Sequence, residues 1–146
     1  MSGAATRTLR IPAEVARMGE LRAFVRSSAD AAGLAPAAVA DLVQAVDEAA
    51  TNIIVHGYEG TAGEILAHAR RRNGRMEVRL IDWCRPFDPT AVPEPDLSIP
   101  PLERKPGGMG VHLMRAGADA VHHRVRPDGG NELTIVRVID RQPGED

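Results

Sequence analysis

Apolar residues recur at i, i+3, i+4 and i+7 through the first half of the chain: Val39, Leu42, Val43, Val46, Ala49, Ala50, Ile53 and Ile54. That spacing predicts an amphipathic helix opened by Pro36, with Asp41, Gln44, Asp47, Glu48 and Asn52 off the apolar stripe. Gly57 and Gly60 bracket its predicted end. An earlier stripe, Met18, Leu21, Phe24, Val25 and Ser28, predicts a first helix, with Pro12 in its opening turn and Gly33 as its stop. Elsewhere the period is two. Over 6–11, Leu9 and Ile11 fall on one side and Thr8 and Arg10 on the other, which predicts a short strand. Runs at 63–70 and 76–82 predict a hairpin turned at Asn73-Gly74. On its second strand Met76, Val78 and Leu80 share one face, and Glu77, Arg79 and Ile81 share the other. A short apolar helix is predicted over 109–118, and a last hairpin joins 121–126 to 132–139 across Pro127-Asp128-Gly129-Gly130. Helices come early and strands pair locally. The expected fold is therefore α+β: a two-layer sandwich with a largely antiparallel mixed sheet and helices on one face.

Composition narrows the picture. The 146 residues suit a single domain, 1–146, with a polar tail at 141–146 expected to fray. Only four residues are aromatic, so the core must be aliphatic, and stacking on single-stranded nucleic acid lacks platforms. A net charge of −2 provides no general field for polyanions, so no direct nucleic-acid partner is expected. One cysteine excludes an internal disulfide and any multi-cysteine zinc site. The N-terminal residues lack an apolar targeting core and no stretch reaches membrane-span length; the expectation is a cytoplasmic domain without a membrane partner. Seven of the eleven prolines lie from Pro86 to Pro106.

Several groups of residues carry candidate chemistry. Glu48 and Asn52 stand four apart on the second predicted helix, hence on one face. A carboxylate there can take a proton from a hydroxyl, and an amide oxygen can ligate Mg²⁺ beside phosphates; taken alone, the pair reads more simply as a solvated polar face. Asp82 closes a predicted strand, where it can accept a hydrogen bond from a ligand amino group or merely end the strand. Gly107, Gly108 and Gly110 surround a predicted helix start and allow close approach of an anion, or form a plain turn. The dinucleotide and Walker patterns both fail there. Arg104 and Lys105 precede these glycines and can reach a terminal phosphate, while 86–106 is long enough for a lid or a solvated loop. His122 and His123 are neighbours on a predicted strand and point to opposite faces, which argues against a shared metal.

Taken in order, these blocks carry a resemblance. Residues 45–58 (AVDEAATNIIVHGY) resemble the N-box of the GHKL ATPase/kinase superfamily. Residues 82–89 (DWCRPFDP) are similar to its first glycine box in the form used by anti-sigma factor kinases, 107–119 (GGMGVHLMRAGAD) to the second box, and 130–135 (GNELTI) to the closing strand. The resemblance runs over about 9–139. It implies the Bergerat-type ATP-binding fold and the serine/threonine kinases of bacterial partner switching. Such proteins use ATP and Mg²⁺, phosphorylate a small anti-anti-sigma protein with a STAS domain, bind a sigma factor and are commonly homodimers. By position it implies Glu48 as general base, Asn52 as the Mg²⁺ ligand and Asp82 on the adenine amino group. Gly107, Gly108, Met109, Gly110 and Val111 would hold phosphates, with Phe87, Arg104 and Lys105 as further nucleotide contacts and 86–106 as the ATP lid. One position departs: the first box has Cys84 where the pattern has glycine. That departure motivates the alternative of a regulatory protein-binding module of the same fold. A detached histidine kinase domain is disfavoured, because the chain lacks a phosphoacceptor helix pair and carries Pro86-Phe87-Asp88-Pro89.

Overall fold

The computed structural model describes residues 6–91, 98 and 116–139. In chain order they form β1 (Arg7–Pro12), a 3₁₀ turn (Val15–Arg17), α1 (Met18–Ala32), α2 (Pro36–Asn52) and a π-helical turn (Ile53–Tyr58). β2 (Glu64–Arg72), β3 (Arg75–Asp82), a second 3₁₀ turn (Pro89–Ala91), β4 (Ala120–Val125) and β5 (Asn131–Val138) follow. The strands make one sheet in the order β1-β2-β3-β5-β4, and every pairing is antiparallel. α1 and α2 pack side by side, α1 against β1–β3 and α2 against β5. The α+β sandwich with helices on one face is thus observed.

The core is aliphatic, as composition required: Leu21, Val25, Leu42, Ile65, Leu80 and Ile135 are fully enclosed. Strand alternation decides what reaches it. Met76, Val78 and Leu80 turn toward the helices, and the same parity carries Asp82 inward at the end of β3. Asp82 lies opposite Asn131 in the β3–β5 register, so both polar residues enter the helix-facing layer at one end of the sheet. Glu132, one residue on, faces the other side. The hairpin between β2 and β3 turns where predicted, with Asn73 and Gly74 at φ 51° and 72°, the pair of left-handed residues that a tight two-residue turn requires.

Two expectations are corrected. Pro12 does not open a helix; it ends β1 opposite Glu64, and the next amide, Ala13, donates to Gly63 O at 2.8 Å. β1 is an edge strand, where the hydrogen that proline lacks is not missed, and α1 begins only at Met18. The apolar stripe of α2 does continue to Ile54, but regular α-helical bonding ends at Asn52. The chain widens into the π turn and Gly57 lies inside it, not at a boundary. A Cβ at Gly57 would stand 2.8 Å from Cys84 Sγ and 3.3 Å from the Phe87 ring, so only glycine lets the turn lie against the 84–87 segment.

Candidate functional site

Glu48 and Asn52 sit in the last turns of α2. Glu48 is half-buried, and no hydrogen bond or ion pair engages its carboxylate among the described residues. Burial, with a smaller push from Asp47, raises its pKa above the ordinary glutamate range. Asn52 is 4% exposed, and its Nδ2 has no hydrogen-bond partner among the described residues. A buried amide left unpaired costs free energy and marks a place where something else is to bind. The unpaired group is a donor and suits an acceptor such as a phosphate oxygen; an ion would have to be met by the other end of the amide, its Oδ1. Among the described residues no cluster of three His, Cys, Asp or Glu side chains forms, so Mg²⁺ would depend on Asn52 together with nucleotide phosphates and water. That is ordinary for an ion that keeps much of its hydration.

At the far end of β3, Asp82 is 2% exposed. Its Oδ1 accepts three hydrogen bonds: from Asn131 Nδ2 at 2.9 Å, Cys84 Sγ at 2.9 Å and Cys84 N at 3.2 Å. Oδ2 accepts none from the described residues. Cys84 is buried in the core cluster. Burial first, then its hydrogen bond and charge contact with Asp82, push the thiol up to about 12, so it is a neutral donor and not a nucleophile. The side chain that occupies the glycine position therefore turns toward Gly57 and Phe87, in the space that Gly57 leaves.

The 83–87 backbone is tied down on both sides. Tyr58 Oη accepts from Trp83 N at 2.9 Å and donates to Glu64 O at 2.6 Å. Arg85 donates to Glu59 Oε1 at 2.9 Å and to His56 O at 3.1 Å, and its guanidinium lies 5.6 Å from the centre of the Phe87 ring. From β5, Asn131 Nδ2 also donates to Arg85 O at 3.2 Å, while its Oδ1 accepts from Phe87 N at 3.1 Å. Asn131 is 1% exposed. Asn131, Tyr58 and Gly57 were not among the candidate site residues named from sequence. Asn131 gains its role only through the β3–β5 register, which no local pattern announces.

The structure thus brings Asp82, Cys84 and Phe87 together against the π turn that continues α2 from Asn52. Arg104, Lys105, Gly107, Gly108, Met109, Gly110 and Val111 lie outside the described residues, as do most of 86–106 and all of 141–146.

This arrangement matches known proteins. The histidine kinase-like ATPase domain matches residues 11–137, and the chain belongs to that family. Its relatives narrow the group. The anti-sigma F factor of Thermoanaerobacter sp. strain X514 is 32% identical over 69% of this chain and 71% of its own length. The serine-protein kinase RsbW of Bacillus cereus strain AH187 is 26% identical over 94% of this chain and 87% of its own. A crystal structure of RsbU and RsbW domains from Mycobacterium tuberculosis has the same fold, with a TM-score of 0.63 and 18% identity over 94% of this chain, which spans 33% of that one. Within the family the chain stands with the anti-sigma factor kinases of the partner-switching type.

Proposed function

We propose that the protein transfers the γ-phosphoryl group of ATP to a serine or threonine hydroxyl of a small anti-anti-sigma protein of STAS type, and that it sequesters a sigma factor. The observation that carries this reading is on α2: a half-buried carboxylate of raised pKa and a buried, unpartnered amide, one helical turn apart. Glu48 would take the hydroxyl proton as that oxygen attacks the γ-phosphorus and ADP departs. Its pKa, raised by burial and by Asp47, makes it a better proton acceptor than an ordinary glutamate. Asn52 would hold Mg²⁺. Bound there, the ion supplies charge neutralisation for the transferred group. Asp82 would accept a hydrogen bond from the adenine amino group on Oδ2. Arg104, Lys105 and the backbone at 107–111 would meet the phosphates, Phe87 would line the base pocket and 86–106 would close over it. A homodimer and a cytoplasmic location belong to the same proposal.

The test is transfer from radiolabelled ATP to the cognate anti-anti-sigma protein. Label should appear on that protein, and Glu48→Gln should abolish it while sparing nucleotide binding; no transfer by the natural protein would sink the kinase reading.

A second reading is a protein-binding module of the same fold that uses nucleotide weakly or not at all. The Cys84 thiol on Asp82 Oδ1 favours it, because part of the base-reading carboxylate is already occupied. Calorimetry with ATP and Mg²⁺ separates the two: the module should give no heat at millimolar nucleotide.

A further inference from the structure

Asn131, bound to Asp82, is a residue to which the proposed function gives no role. A carboxylate turns freely about its last torsion unless donors fix its plane. Two of the three donors on Asp82 Oδ1, the Cys84 N–H and the Cys84 thiol, belong to the segment that follows Asp82 itself. They move with that segment. The third, Asn131 Nδ2, comes from β5 and ties the carboxylate to the sheet at 2.9 Å.

The same amide binds Arg85 O and Phe87 N, so Asp82 and the 85–87 backbone share one anchor. With both Nδ2 hydrogens directed at Asp82 and Arg85, Asn131 Oδ1 must face the donors. His123 Nε2, 3.1 Å from that oxygen, therefore carries its ring hydrogen. On the other side of the ring, His123 Nδ1 lies 3.9 Å from Asp88 Oδ2. Every polar atom of the Asn131 side chain is held, from β3, β4 and the 85–88 segment.

We propose that Asn131 is a positioning residue for nucleotide choice: by fixing the plane of Asp82 and the 85–87 backbone together, it makes Oδ2 a directed acceptor that favours a 6-amino purine nucleotide over a 6-oxo one. This rests on the reading that Asp82 meets the base. An ionised carboxylate can only accept. A 6-amino group offers it a hydrogen, whereas a 6-oxo group presents a second acceptor and repels it. A carboxylate free to rotate would turn away from that repulsion and lose the distinction.

The experiment measures Kd for ATP and for inosine triphosphate, each with Mg²⁺, on the full chain. Damage to the fold lowers both affinities, while loss of positioning lowers their ratio. The ATP preference should fall about ten-fold in Asn131→Ala, the worth of one hydrogen bond to a charged group. Asp82→Asn, which gives the position a donor, should erase or invert it. His123→Phe leaves the Asn131–Asp82 bond in place and removes one donor from Asn131 Oδ1, so the preference should fall about two- to three-fold. If Asn131→Ala does not fold, an unchanged ratio in His123→Phe overturns the proposal. If Asp82→Asn changes the ratio and a folded Asn131→Ala does not, the positioning role is wrong and the base reading stands. If Asp82→Asn changes nothing, the base reading and this proposal fall together.

Discussion

Glu48 stands near the end of α2, and Glu132 stands on the outer face of β5. Burial pushes the pKa of both upward. Around Glu132 that push is outweighed. Arg124 donates to it at 3.0 Å and Arg126 at 3.0 Å, Arg79 adds its charge, and the net shift is downward. Around Glu48 no cation answers among the described residues; Asp47 adds to the push and the pKa stays raised. The outer sheet face uses its arginines to close a charge cluster, while at the helix-facing end a carboxylate and an amide nitrogen have no partner among the described residues. A protein built for stability alone would pair both. The difference is what the proposed function rests on: at the helix-facing end a ligand would complete the structure.

The comparison can be broken or sharpened in steps. The largest effect belongs to Glu48. Glu48→Gln should lower phosphoryl transfer by about 10²- to 10⁴-fold with nucleotide affinity retained, as radiolabel transfer and calorimetry would show. The acid limb of the natural protein's rate should lie above the ordinary carboxylate range, because the base works only when deprotonated and its pKa is raised. Retained transfer would make Glu48 a surface residue like any other.

Next is the packing under Asp82. Gly57→Ala drives a methyl into Cys84 Sγ and should cost about 1–3 kcal/mol in urea unfolding. Cys84→Ala in the same chain should return most of that cost, since it removes the sulfur and leaves Cβ 3.7 Å away. Additive effects would show that the two residues do not share the space.

Glu132→Gln should cost about 1–2 kcal/mol at pH 7, because its arginine partners are partly exposed. The sign follows from its lowered pKa. The contribution is present above the unfolded value of about 4.3 and is lost as pH falls through the lower folded value. Natural and variant proteins should therefore converge in unfolding free energy in strong acid. Glu48 has the opposite sign: its penalty is present above its raised folded pKa and vanishes below the ordinary value. Glu48→Gln should thus be more stable than the natural protein at neutral pH and equal to it in acid. A destabilised Glu48→Gln at pH 7 would mean that the carboxylate has a partner after all.

The smallest effect is chemical. With its thiol pushed up to about 12, Cys84 should resist iodoacetamide at pH 8 and react only as fast as the chain unfolds, followed by mass spectrometry. Rapid labelling of the folded protein would place the thiol outside the Asp82 network.

Much of the fold was legible along the chain. The stripe from Val39 to Ile54 named α2, alternation named the strands, and Asn73-Gly74 named its turn. Each signal is local: a period, a backbone preference, a pair of left-handed residues. The errors were local too. Pro12 reads as a helix opener until the edge position of β1 shows that its missing hydrogen costs nothing there. Gly57 reads as a helix end until Cys84 and Phe87 are seen against it. Glu48, Asn52 and Asp82 could be named as candidates because spacing on one helix and position at one strand end are properties of sequence.

What the sequence by itself determined is the set of elements and the candidate groups that each one carries. Tertiary structure alone decided their states. Register set Asn131 opposite Asp82, and sheet order set arginines around Glu132, while packing turned the Cys84 side chain toward Gly57. Burial and partners fix whether a carboxylate is held down or pushed up, and both are sums over neighbours distant along the chain. No pattern of nearby residues contains that sum.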